Sequence, residues 1–251
     1  MRFIFFFIIA ITSLPVHSQI DYTERIAIDD NRRHDVFTFG DLEGDGTEDI
    51  IRITSDNDPE CFIGSKALVW ASNIGDGTFL KNVVIKEYVD NGTYFNSNIS
   101  EIEAHDYDND GDVDLAVAIR YDTPDPNFPN FTLQVYFVEF FKNNGDGTFQ
   151  DSVDIVETDT LADGTGLRME MESFDFENDG DIDIILMSRY RLYQTRHLSG
   201  GNFSNATYEG LGSNDIYFDL KSADINNDGE LDIMVVDLSL IHISEPTRRT
   251  P

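Results

Sequence analysis

The sequence predicts an all-β protein built from repeated four-stranded antiparallel units. Three observations carry this reading. An acidic nine-residue loop recurs four times, each copy runs directly into a short aliphatic stretch, and a glycine-rich turn recurs further downstream.

The clearest acidic loop is DYDNDGDVD, which begins at Asp106. Asp106, Asp108, Asp110 and Asp114 stand at positions 1, 3, 5 and 9, and Gly111 at position 6 supplies the sharp turn that lets them converge. Asp112 at position 7 offers its backbone carbonyl. Hard oxygen ligands in this order suit Ca²⁺, which takes six to eight oxygens in a flexible shell. Without a cation, two carboxylates about 4 Å apart repel by roughly 4 kcal/mol at an effective dielectric near 20. A single copy would read equally well as a solvated Asp/Gly turn. Three further copies tip the reading to metal: Asp41, Glu43, Asp45, Thr47 and Asp49; Asp175, Glu177, Asp179, Asp181 and Asp183; Asp224, Asn226, Asp228, Glu230 and Asp232. About one Ca²⁺ per loop is expected, four in all.

The flanks decide what carries the loops. An EF-hand loop needs a bidentate Glu at position 12 and a helix at its exit, whereas position 12 here is Arg52, Val117, Leu186 or Val235. The exits DIIRI, DLAVAI, DIDIILM and LDIMVV read as strands buried on both faces. Upstream, an apolar residue (Phe37, Ile102, Met171, Leu220) is followed by a polar one (Thr38, Glu103, Glu172, Lys221), the alternation of a half-buried strand entering the loop.

A second element follows. NIGDGTF (73–79) and NNGDGTF (143–149) lie after apolar runs, and SGGNF (199–203) is a worn copy. Gly-Asp-Gly between apolar runs signals a hairpin, and a plain turn without a ligand is the expected reading. Each period is therefore strand, acidic loop, strand, connection, strand, turn, strand. The first aspartates of successive loops are 65, 69 and 49 residues apart.

Taken together, FGDLEGDGTEDI (39–50) and NNGDGTF resemble the FG-GAP/VCBS repeats of β-propellers, the family that includes the integrin α-subunit head. The resemblance spans roughly residues 35–237 and lacks the Gly-Ala-Pro part of the motif. It implies a radial array of four-stranded blades, with calcium pinning each acidic hairpin. Propellers close with four to eight blades, so about three and a half blades are expected in residues 19–237, with the remaining blades of a parent chain as partners.

The two ends read differently. Residues 1–18 carry one positive charge, an apolar run from Phe3 to Leu14, and Val16 and Ser18 at the −3 and −1 positions before Gln19. That is the pattern of a secretory signal peptide, with a retained anchor as the alternative, and it predicts a secreted or cell-surface protein with no transmembrane segment after cleavage. Leu238 to Arg248, LSLIHISEPTR, is what a common transposon sequencing adapter encodes in one frame, so residues 238–251 are expected to be foreign to the protein. Cys61 is the only cysteine, which rules out an internal disulfide and leaves calcium to do the stapling.

A formal net charge of −31 disfavours nucleic acid and anionic lipid as partners, because no basic patch exists to release counter-ions. Fifteen carboxylates stand at positions 1, 3, 5 and 9 of the four loops, and four divalent cations would leave the chain still strongly acidic. Extracellular glycans or protein surfaces remain. Within 54–65 and 121–131 lie long connections, and Tyr121, Phe128 and Phe131 in the second are candidate ligand contacts. Of the histidines, His105 beside the second loop is the best candidate base, yet no Gly-x-Ser-x-Gly, His-Glu-x-x-His or Cys/His cluster accompanies it. The expected function is a calcium-binding adhesion or ligand-binding module. The alternative is the propeller portion of a secreted polysaccharide-degrading enzyme, a lyase or hydrolase, with its catalytic part elsewhere.

Overall fold

The computed structural model describes residues 36–54, 66–76, 78–80, 82–89, 95–128, 130–158, 169–188, 191–210, 217–227, 229 and 231–237, all within one compact unit. The expected signal peptide, Cys61 and most of the 54–65 connection, Asp228, Glu230 and the 238–251 segment lie outside the described residues.

Every described element is a strand, and every pairing is antiparallel. The first blade is β1 (Phe37–Gly40), β2 (Asp49–Thr54), β3 (Lys66–Ala71) and β4 (Val83–Tyr88), hydrogen-bonded in that order. The second is β5 (Phe95–His105), β6 (Asp114–Pro124), β7 (Thr132–Phe141) and β8 (Val153–Glu157). In the third, β9 (Met169–Phe174), β10 (Asp183–Ser188) and β11 (Arg191–Thr195) are followed by a small hairpin of β12 (His197–Ser199) and β13 (Asn202–Phe203) before β14 (Thr207–Gly210) completes the sheet. A final pair, β15 (Tyr217–Ala223) and β16 (Asp232–Asp237), begins a fourth. The first strands β1, β5, β9 and β15 neighbour one another in sequence order, as in a radial array.

The period of two along each strand explains how the sheets stack. On β6, Leu115, Val117 and Ile119 pack with Ile51, Leu68 and Trp70 of the first blade, while Ala116 and Ala118 pack with Met169, Met171, Ile184 and Leu186 of the third. On β10 the other parity, Ile185 and Met187, meets Leu220 and, from β16, Ile233 and Val235. The second strands β2, β6 and β10 are therefore buried on both faces, as their aliphatic composition predicts, whereas β16 leaves Met234 45% exposed because no further sheet covers that face among the described residues. Each fully buried Leu or Ile contributes roughly 1.5–3 kcal/mol relative to exposure. Fourth strands end the sheets: Val83 and Val84 of β4 are exposed. Phe37 departs from its expected burial, being 53% exposed on β1, whereas Ile102, Met171 and Leu220 at the equivalent position are buried.

Trp70 joins two blades. Its ring lies against Gly147 in the turn of the second blade, where an added Cβ would sit 2.3 Å from Trp70 Cζ2. The 121–131 segment is more regular than expected: β6 continues to Pro124 and β7 begins at Thr132, leaving a short turn in which Asp125 N donates to Phe131 O at 3.0 Å.

Candidate metal centre

The first three acidic loops share one hydrogen-bond scheme, and the described residues of the fourth follow it. The position 1 carboxylate accepts backbone N–H groups from positions 5 and 6: Asp45 and Gly46 donate to Asp41 (3.1 and 2.8 Å), Asp110 and Gly111 to Asp106 (3.1 and 3.0 Å), and Asp179 and Gly180 to Asp175 (3.0 and 2.7 Å). In the fourth loop Gly229 N donates to Asp224 at 3.0 Å. The position 5 carboxylate accepts from position 7: Asp112 N donates to Asp110 Oδ1 at 3.0 Å. In the second loop the other oxygen, Asp110 Oδ2, lies 2.9 Å from Lys142 Nζ.

Position 9 ties the loop to the turn that follows the third strand. Asp49, Asp114 and Asp183 are buried, and their Oδ1 atoms accept N–H from Asn73, Asn143 and His197 at 2.9, 2.8 and 2.9 Å. Burial pushes the Asp114 carboxyl up to about 7, with the nearby Asp110 and Asp106 charges adding to the rise and the Asn143 N–H opposing it. Asp49 and Asp183 are raised for the same first reason, burial. Neighbouring blades are sewn together here as well: Asn143 Nδ2, which donates to Val113 O of its own blade (3.0 Å), also donates to Leu42 O of the first (2.8 Å), and Asn109 Nδ2 donates to Asp181 Oδ1 of the third (2.8 Å).

Position 4 is a feature that ligand reasoning passes over. Gly44, Asn109, Asn178 and Asn227 all adopt left-handed backbone, with φ of 58–69°. Gly and Asn are the residues that tolerate this conformation, so the repeated Gly/Asn was a readable signal.

Among the described residues, the second blade gathers one oxygen each of Asp106, Asp108 and Asp114 within 4.8 Å of one another. Asp108 Oδ1 is buried without a hydrogen-bond partner, while Asp114 sits beside the Tyr107 N–H, which opposes the rise of its carboxyl. Unpaired anionic oxygens in a buried position are costly, and an all-oxygen donor set of this kind suits a hard divalent cation. The residues present therefore fit a metal. Asp110 stands at the rim, its side chain 37% exposed, and Asp112 packs its carboxylate where a Cβ on Gly145 would approach to 2.4 Å.

Position 3 differs between loops. Glu43 accepts from Ser72 Oγ at 2.5 Å, Asp108 pairs with Lys142, and Glu177 pairs with Arg196 at 2.5 Å. In the first loop the Thr47 hydroxyl lies 2.6 Å from both Asp45 Oδ1 and Asn73 O. Asp232 Oδ2 accepts Ile225 N at 3.0 Å, and Asn226 is exposed.

The turn aspartates Asp76 and Asp146 accept from Thr78 and Thr148 (2.9 and 3.0 Å) and face solvent. Those hydrogen bonds, led by the threonine hydroxyls, hold both carboxyls below their ordinary value. His105 lies 3.4 Å from Glu103 and edge-on to Tyr107, at the end of β5.

The three candidate ligand contacts separate. Phe128 and Phe131 form an edge-to-face pair at 6.2 Å, 62% and 66% exposed, at the tip of the β6–β7 hairpin. Tyr121 instead packs on Phe137 and reaches Glu139 Oε1 at 3.4 Å. Glu139, buried on β7, also accepts from Lys86 Nζ (2.9 Å) and Tyr88 OH (3.0 Å), and these groups line a cleft of about 260 Å³. Its partners come from β4 and β6, which is why one strand's pattern does not announce it.

The FG-GAP-like repeat matches residues 106–186 and 175–235, a span holding the second, third and fourth acidic loops. Two solved structures are also similar. An Agrocybe aegerita lectin described as specifically recognising non-reducing terminal N-acetylglucosamine shares 18% identity over 70% of this chain and 51% of its own, with a TM-score of 0.27. The Bacillus licheniformis rhamnogalacturonan lyase PL11 shares 16% identity over 81% of this chain and 40% of its own, with a TM-score of 0.44. This chain thus spans about half or less of the length of either. No curated protein matches it. With stacked four-stranded sheets, one acidic loop scheme used in three blades and begun in a fourth, and a repeat match across more than half of its length, the chain belongs to the FG-GAP-like repeat family.

Proposed function

We propose that this chain is an exported, calcium-stabilised module that presents a binding surface to an extracellular glycan or protein. The observation that supports calcium is the Asp106, Asp108 and Asp114 cluster with the unpartnered buried Oδ1 of Asp108. These three residues would hold the ion, which when bound supplies charge neutralisation and a fixed point for the loop. The other loops follow by their shared hydrogen-bond scheme. Export rests on the sequence of residues 1–18, and no helix among the described residues is long and apolar enough to cross a membrane.

Calcium removal tests the metal. A site held at ten times its dissociation constant stabilises the fold by about 1.4 kcal/mol. A chelator should therefore lower the melting temperature, and added Ca²⁺ should restore it. An unchanged melting curve would refute the metal reading.

Ligand contact is assigned to Phe128 and Phe131, because large apolar side chains held out on a hairpin tip are costly to leave in water and suit a sugar face or an apolar peptide side chain. The double variant F128A/F131A should keep its melting temperature and lose about tenfold or more in affinity on a glycan or protein array, two stacked aromatic contacts being worth about 1–3 kcal/mol. Retained binding would move the surface elsewhere. Depolymerisation of a polysaccharide by the full chain would overturn the binding reading in favour of an enzyme.

A further inference from the structure

The residue directly after the third strand has the same place in three blades. Ser72, Lys142 and Arg196 each precede the residue (Asn73, Asn143, His197) whose N–H donates to the position 9 aspartate. Each also touches the position 3 acid of its own loop: Ser72 meets Glu43, Lys142 meets Asp108, and Arg196 meets Glu177. The contacts span 29 residues in the first blade and 34 in the second, yet the register repeats.

The three versions are chemically unequal. Ser72 brings no charge. Arg196 and Glu177 are 48% and 39% exposed, so water screens their pairing. Lys142 alone reaches into a gathered cluster. Its ammonium contacts Asp108 Oδ2 and lies 2.9 Å from Asp110 Oδ2, and the Asp108 side chain is 1% exposed. Gly201 in the turn of the third blade helps close this side, since a Cβ there would lie 3.7 Å from Asp108 Oδ2. What Lys142 leaves without a partner is Asp108 Oδ1, in the cluster that Asp108 forms with Asp106 and Asp114.

We propose that Lys142 is a tethered counter-ion of the second loop: it holds the carboxylates together when metal is absent and competes with Ca²⁺ for them. This rests on the calcium reading above. One ammonium offsets only part of the negative charge that Asp106, Asp108, Asp110 and Asp114 bring together, so the loop stays assembled but still attracts a divalent ion. A second cation arriving beside it is repelled, and the flexible four-carbon stem lets the ammonium swing towards solvent. The second loop is thereby set to weaker calcium affinity and smaller dependence on calcium than the first, where the equivalent residue is Ser72.

Calcium titration of the full chain by calorimetry, with melting curves in chelator, tests this on wild type, Lys142→Gln and Lys142→Arg. Removing the charge should tighten one class of site, of stoichiometry one, by about tenfold. The same variant should melt at a lower temperature than wild type in chelator. Lys142→Arg keeps the charge and should behave as wild type in both assays. Unchanged or weaker calcium binding in Lys142→Gln, or equal tightening in Lys142→Arg, would overturn the counter-ion role while leaving calcium binding intact. Absence of calcium binding in wild type would remove both.

Discussion

Two glycines of the second blade separate backbone conformation from close approach. Gly111 at position 6 and Gly145 in the following turn both have left-handed φ, +96° and +79°. A Cβ on Gly111 would meet nothing within 4 Å, whereas one on Gly145 would lie 2.4–2.8 Å from the Asp112 carboxylate. Gly111→Ala should therefore cost about 1–2 kcal/mol from backbone strain alone. Gly145→Ala also has to displace the Asp112 carboxylate, the movable end of its side chain, and should cost about 0.5–1.5 kcal/mol more. Urea melts of the two variants, in calcium, check the order. Equal losses would mean that the Asp112 carboxylate swings aside freely. At this scale the carboxylates and position 6 glycines were legible, because residue type itself names the chemistry. Lys142 was not, since a lysine after a strand looks like any solvated charge until its partner 34 residues away is placed beside it.

The first strands carry a different electrostatic feature. Glu101 on β5 is pushed up to about 7, chiefly by burial, then by Glu170 of β9, Glu103 of β5 and Glu172 of β9, with Lys221 of β15 pulling the other way. Lys221 itself is paired with Glu172, and Ser222 Oγ donates to the same carboxylate at 3.2 Å. Because the folded pKa is raised, this group favours folding fully below its unfolded value of about 4.3, and the contribution is lost as pH rises through about 7. Glu101→Gln should stabilise the protein at pH 8 and flatten the change in melting temperature between pH 5 and 8, measured without calcium. A decrease in stability at pH 8 would mean that the Glu101 charge is needed. The strands themselves were readable from their aliphatic runs and alternation. Two exceptions have a common cause: the exposure of Phe37 and the Glu139 cleft depend on which neighbouring strand, if any, covers a face, and one strand's pattern does not carry that.

For the molecule as a whole, a formal charge of −31 makes self-repulsion a global term. Raising salt from about 0.01 M to about 1 M shortens the screening length from about 30 Å to about 3 Å. The melting temperature of the calcium-free protein should rise over that range, and the rise should be smaller with calcium bound, because the ions already neutralise part of the field. Equal rises in both states would place the repulsion outside the acidic loops. The stacking of blades through nearest-neighbour faces also makes stability a sum of seams, each able to loosen by itself. That bears on the single tryptophan. Trp70 sits at the seam between the first and second blades, against Gly147, with its indole N–H buried and without a partner. Its emission is a local gauge: water entering that seam shifts the colour of the light, while opening of the seam between the third blade and the β15–β16 pair passes unseen.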